Sequence, residues 1–105
     1  MANEGDVGNY SFRSCDSLEI VIVANAGAVN NAAFYNCTSL KSVTLGDRVT
    51  SLGDDAFYLC TSLEEIVIPN SVKSLGAYCF RACTAMKRVV IGEGLANVNM
   101  GVTSI

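Results

Sequence analysis

Cys60-Thr61-Ser62-Leu63-Glu64-Glu65-Ile66-Val67-Ile68-Pro69-Asn70-Ser71-Val72-Lys73-Ser74-Leu75-Gly76-Ala77-Tyr78-Cys79-Phe80-Arg81-Ala82-Cys83 is one period of an internal repeat. The repeat is marked by Cys15, Cys37, Cys60 and Cys83, which lie 22, 23 and 23 residues apart. After each cysteine the same apolar spacing returns: Leu18, Val21 and Val23; Leu40, Val43 and Leu45; Leu63, Ile66 and Ile68; Met86, Val89 and Ile91. The second half of the period recurs as well. Val49, Leu52, Gly53, Ala56, Phe57 and Cys60 become Val72, Leu75, Gly76, Cys79, Phe80 and Cys83. Earlier in the chain they correspond to Ala26, Val29, Asn30, Ala33, Phe34 and Cys37, and Val7, Gly8, Ser11, Phe12 and Cys15 open it as a half period. A fixed period of this length is the signature of a solenoid, in which one unit cannot bury its apolar side alone and stacking the units does.

Each unit reads as a strand, a turn and a short return. Val43-Thr44-Leu45 and its equivalents alternate apolar and polar residues with period two, as a half-buried strand does. Pro69 follows the third strand, where its missing N–H interrupts no ladder. The glycine after Leu52 and after Leu75 suits a bend with positive φ. Ala-Phe-x-x-Cys places its apolar residues three and four apart, on one face of a helical or 3₁₀ turn. The expected fold is therefore an α/β solenoid of about four stacked coils, with a parallel sheet on the concave face and short helical or 3₁₀ turns on the convex face. One domain spans 1–105: a half coil 1–15, coils 16–37, 38–60 and 61–83, and a degenerate terminal coil 84–105.

The unit resembles the BspA-type leucine-rich repeat, which runs roughly Cys-Thr-Ser-Leu-x-x-Val-x-Ile-Pro-x-Ser-Val-x-x-Ile-Gly-x-x-Ala-Phe-x-x-Cys. Cys60 to Cys83 follows that pattern almost position for position, including Ile68-Pro69-Asn70-Ser71-Val72 and Leu75-Gly76, with Cys79 in place of the usual alanine. The resemblance implies a leucine-rich-repeat fold. It also implies an extracellular or cell-surface protein that adheres to host proteins or to neighbouring cells.

The rest of the composition narrows the function classes. Half of the chain is apolar, enough to build a core. The formal charge is −3, and seven scattered Lys and Arg residues do not make the phosphate-binding patch that nucleic acid requires. No apolar run approaches the roughly 18 residues of a membrane span, so insertion into a membrane is not expected. Met1 to Gly8 lacks the positive start and apolar stretch of a signal peptide, a reading that fits either a cytoplasmic chain or one whose leader has been removed.

Five cysteines raise the question of metal or disulfide. Only Cys79 and Cys83 are close in sequence, and no second pair or histidine completes a zinc site. The repeat cysteines are expected to form an inward column beside the phenylalanines, as small buried apolar residues. Catalysis by a cysteine normally requires a base such as histidine, and the chain has none. Asp54-Asp55, Glu64-Glu65 and Gly92-Glu93-Gly94 fall on repeat turns and strand faces and read as structural. The expectation is a chain without enzymatic activity and without a cofactor.

Two surfaces stand out. On parallel strands in register, Glu19, Lys41, Glu64 and Lys87 stack as a column of alternating charge. Beside it run Ile20, Ser42, Glu65, Arg88 and then Ile22, Thr44, Val67, Val90, a partly apolar stripe that forms the candidate protein-contact face. The second surface is the end of the repeat. The signature fades after Val98, and Met86, Val89, Ile91, Leu95 and Val98 form a candidate edge for self-association into a homo-oligomer.

Overall fold

The computed structural model describes residues 6–24 and 26–95, with the backbone alone at Leu95. The chain forms a parallel-strand β-solenoid of about three turns. Its longer strands are β1 (Ile20–Val23), β3 (Ser42–Leu45), β5 (Glu65–Ile68) and β7 (Arg88–Ile91). Two-residue strands β2 (Ala28–Val29), β4 (Ser51–Leu52) and β6 (Ser74–Leu75) follow the turn after each of the first three. All pairings are parallel, β1 with β3, β5 with β7, and β2 with β4 with β6. Val7 extends the short-strand ladder by a bridge to Val29.

The alternation expected of the longer strands holds. In β1, β3 and β5 the first and third residues are exposed, and the second and fourth are buried. The core is a set of columns, each built from one repeat position. Phe12, Phe34, Phe57 and Phe80 stack with ring centroids 5.2, 5.3 and 5.6 Å apart and ring planes within 6° of parallel. This spacing follows from the roughly 4.8 Å step between adjacent strands, which carries each ring onto its equivalent. Cys37, Cys60 and Cys83 form the neighbouring column and are buried, while Cys15 at its start is half-buried. Cys79 lies in the Ala33 and Ala56 column and is fully buried.

The return segments differ from the expected helical or 3₁₀ turns. Among the described residues there is no α-helix, and the one 3₁₀ segment, Glu93–Leu95, follows β7 rather than lying on the far side of a coil. Each return is instead two successive β-turns. In the third, Ala56 N–H donates to Gly53 O and Cys60 N–H donates to Phe57 O, both at 3.3 Å. The third residues of these turns, Asp55 and Leu59, have φ of 57° and 63°. The same positions in the other coils, Tyr10, Ser14, Ala32, Asn36, Tyr78 and Ala82, have φ between 53° and 59°. The hydrogen bonds explain why no helix forms. Asp55, Phe57 and Leu59 donate their N–H groups to Ala77, Cys79 and Arg81 of the next coil, at 2.9–3.0 Å. Ala32, Phe34 and Asn36 donate in the same way to Asp54, Ala56 and Tyr58. A helix turns those N–H groups inward to its own carbonyls, whereas the stack offers a partner on the adjacent coil.

The glycine expectation is corrected too. Neither Gly53 nor Gly76 has a left-handed φ. A Cβ at Gly76 would lie 2.3 Å from Asp54 N and 2.4 Å from Gly53 C, and one at Gly53 would lie 2.6 Å from Asn31 N. Glycine is required because adjacent coils approach closely there. Gly92 and Gly94 stand against the backbone around Asn70 in the same way, so Gly92-Glu93-Gly94 is a packing element.

Side chains at the turns tie one coil to the next. Asn9 Oδ1 accepts from Asn31 N at 3.0 Å, Asn31 Oδ1 from Asp54 N at 2.9 Å, and Asp54 Oδ1 from Ala77 N at 2.8 Å. The thiols do the same inside. Cys37, Cys60 and Cys83 donate to the carbonyls of Phe12, Phe34 and Phe57 at 3.0–3.1 Å.

Candidate functional site

Period-two alternation puts Ile20 and Ile22 of β1, Ser42 and Thr44 of β3, Glu65 and Val67 of β5, and Arg88 and Val90 of β7 on one outward face, and all eight are exposed. The register aligns Ile20 with Ser42 and Ile22 with Thr44, then Glu65 with Arg88 and Val67 with Val90. Ile20 is 65% exposed, Ile22 49%, Val67 47% and Val90 41%. These are large apolar groups that the core does not use: Ile20, Ile22 and Val67 point away from it on strands whose other side is buried, and Val90 takes the equivalent position on β7.

The face is not the continuous four-strand sheet that the columns suggested. The backbone ladder joins β1 to β3 and β5 to β7, and among the described residues no ladder joins β3 to β5. A cleft of about 330 Å³ lies there, between Ser42, Thr44 and Lys41 on one bank and Glu65 and Val67 on the other. The charge column is interrupted at the same place. Lys41 Nζ pairs with Glu19 Oε1 at 3.5 Å and Lys87 Nζ with Glu64 Oε1 at 3.0 Å, but no ion pair joins Lys41 to Glu64 among the described residues. Arg88 Nη2 pairs with Glu65 Oε2 at 2.9 Å, its register partner in the adjacent column. All three pairs are solvated and hold side chains in place more than they stabilise the fold.

The end of the repeat is partly open. Met86 and Val89 are half-buried and Ile91 is 40% exposed, whereas their equivalents Leu63, Ile66 and Ile68 are buried. The Leu95 side chain and Val98 lie outside the described residues.

The buried thiols are poor nucleophiles. Burial pushes the thiol of Cys37 up, those of Cys60 and Cys79 well up, and Cys83 up to about 11. Among the described residues no three His, Cys, Asp or Glu side chains gather as metal ligands do. Asp54, one candidate of the carboxylate pairs, is engaged with Ala77 N as a coil-to-coil tie. No helix among the described residues is long and apolar enough to cross a membrane.

The profile of the BspA type leucine-rich repeat region matches residues 5–103, in six copies. The fold is similar to a leucine-rich cell surface protein from Faecalibacterium prausnitzii, at 32% identity over 77% of this chain and with a TM-score of 0.74. It is likewise similar to a leucine-rich-repeat protein from Bacteroides ovatus, at 34% identity over 84% of this chain and with a TM-score of 0.72. The chain spans 21% of the first structure and 26% of the second. A comparison with curated proteins finds no match. Leucine-rich repeats generally serve protein–protein interaction as non-catalytic scaffolds. The repeat, the parallel solenoid and the matched residues together place this chain in the BspA-type leucine-rich-repeat family.

Proposed function

We propose that this chain is a non-catalytic adhesion module of an extracellular, cell-surface protein, and that the outward face of its longer strands binds a protein of a host or of a neighbouring cell. The observation that carries this reading is the exposure of Ile20, Ile22, Val67 and Val90 on one face whose neighbouring charges are already paired. Exposed apolar side chains in register gain by burial against a partner. Paired charges give the face no strong net field, so recognition rests on shape and apolar contact rather than on steering. The four-residue strands span roughly 13 by 20 Å. That is about a third of the 800 Å² each partner buries in a stable complex. Affinity therefore comes from further coils or from several copies acting together.

Val67→Asp tests the reading. The side chain points outward, so the solenoid accepts the change and its thermal unfolding stays where it was. Binding to a panel of purified host matrix proteins is expected to weaken about tenfold or more. Binding that survives unchanged removes this face from the function.

A second reading is end-to-end self-association, favoured by the exposure of Ile91 and the partial exposure of Met86 and Val89. It expects sedimentation to show an assembly that grows with concentration and that Val89→Lys disperses. A clean monomer at high concentration rules it out.

A further inference from the structure

All four tyrosines of the chain, Tyr10, Tyr35, Tyr58 and Tyr78, fall on the double-turn segments, away from the strand face. At one end the Arg13 guanidinium lies 5.7 Å from the Tyr10 ring centre, and at the other Arg81 lies 4.8 Å from that of Tyr78. Between them Tyr35 and Tyr58 stack at 5.3 Å. Ala32 holds the turn position that Tyr10 and Tyr78 hold in other coils, with φ of 53° against their 58°. Its missing bulk leaves a notch of about 290 Å³, lined by Tyr10, Arg13, Ala32, Tyr35 and Asp55. Asp55 contributes a second feature. Its Oδ1 is the one buried side-chain polar atom among the described residues that has no hydrogen bond. That oxygen is closed off from solvent, so a ligand meets Asp55 only through the part of the residue that lines the notch.

The lining selects the chemistry of that ligand. A cation meets Arg13 and an anion meets Asp55, so neither net charge is welcome. A purely apolar molecule offers nothing to the Arg13 guanidinium or the Asp55 side chain that line the notch. What remains is a neutral molecule with an apolar face for the tyrosine side chains and groups that both donate and accept at its rim. We propose that this notch binds a neutral saccharide ring, with its C–H face on Tyr10 and Tyr35 and its hydroxyls shared between Asp55 and Arg13. The site is independent of the protein-contact face. Val67→Asp leaves it intact, and its own failure leaves the reading of the strand face standing.

The test is a titration of the isotopically labelled full chain, followed by nuclear magnetic resonance. Cellohexaose, maltohexaose and mannohexaose are the neutral probes, with a heparin hexasaccharide and hexalysine as charged counterparts. At least one neutral probe is expected to give saturable, millimolar shifts at the Ala32 methyl and at the Tyr10 and Tyr35 rings. Ala32→Tyr fills the notch with a side chain that this turn position already carries in two other coils, and it is expected to weaken binding about tenfold. Asp55→Ala is expected to weaken it several-fold, and serves alone if thermal unfolding shows that Ala32→Tyr does not fold. The proposal is overturned if no neutral probe moves these signals, if heparin or hexalysine binds them as well or better, or if binding persists in the folded variants.

Discussion

At the scale of single residues, the core is specified by size and direction more than by chemistry. Phe57 is fully buried, with Phe34 on one side and Phe80 on the other. Removing its ring breaks two stacking contacts and leaves a cavity that neighbouring coils cannot close without losing their own register. Phe57→Ala is expected to destabilise the chain by about 3–5 kcal/mol, read from urea unfolding. A loss below about 0.5 kcal/mol, the scale of an ordinary surface substitution, contradicts the inward column. The inward positions of Phe57, Cys60 and Cys79 were legible from the repeat. The hydrogen bond from each thiol to a phenylalanine carbonyl of the previous coil was not, because its partner lies 25 or 26 residues away.

At the scale of elements, the double turn is the feature that separates this solenoid from one with helical returns. Its cost is visible in the left-handed φ of residues that are not glycine. Ala82 has φ of 59° and is half-buried. A left-handed conformation costs an L-residue about 1–2 kcal/mol, offset in part by the greater unfolded-state entropy of glycine. Ala82→Gly is therefore expected to stabilise the chain by about 0.5–1 kcal/mol. In a helix interior the same change costs about 1 kcal/mol. The sign of the shift in thermal midpoint thus distinguishes turn from helix, and a lowered midpoint counts against the turn. Ala-Phe-x-x-Cys fits both structures, since each brings residues three apart to one side. Sequence spacing alone had no means of choosing between them.

At the scale of the whole molecule, stability is the sum of coil-to-coil contacts, and the buried thiols make that sum depend on pH. Unfolded thiols titrate near 9, whereas Cys83 is pushed up to about 11 by burial and Cys37, Cys60 and Cys79 are also raised. Below pH 9 both states keep these protons, and the thiol contribution is constant. Above it the unfolded chain releases protons that the folded chain retains, so stability falls as pH rises through the folded values. Each thiol that remains protonated contributes about 1.4 kcal/mol per pH unit. The urea midpoint is expected to drop steeply between pH 8 and pH 10, and to drop less in Cys60→Ala. Equal midpoints at the two pH values rule out a protonated thiol column. The candidate contact face shows the same division at this scale. Its eight outward residues and the adjacency of Glu65 and Arg88 follow from alternation and register, whereas the cleft between β3 and β5 depends on how coils sit against each other.

By itself, the sequence determined the period, the longer strand of each coil, which side chains face inward, and the family. These are properties of spacing along the chain, and burial of apolar side chains enforces them in every coil. Only the tertiary structure decided the conformation of the returns, the reason for each glycine, the break in the strand face and the notch over Ala32. Each of those depends on an atom of another coil: a carbonyl that accepts a turn N–H, a backbone that excludes a Cβ, or a tyrosine beside a missing side chain. Periodicity reports whether a residue points in or out. It does not report which atom, some 21 to 26 residues distant, the backbone or side chain meets there.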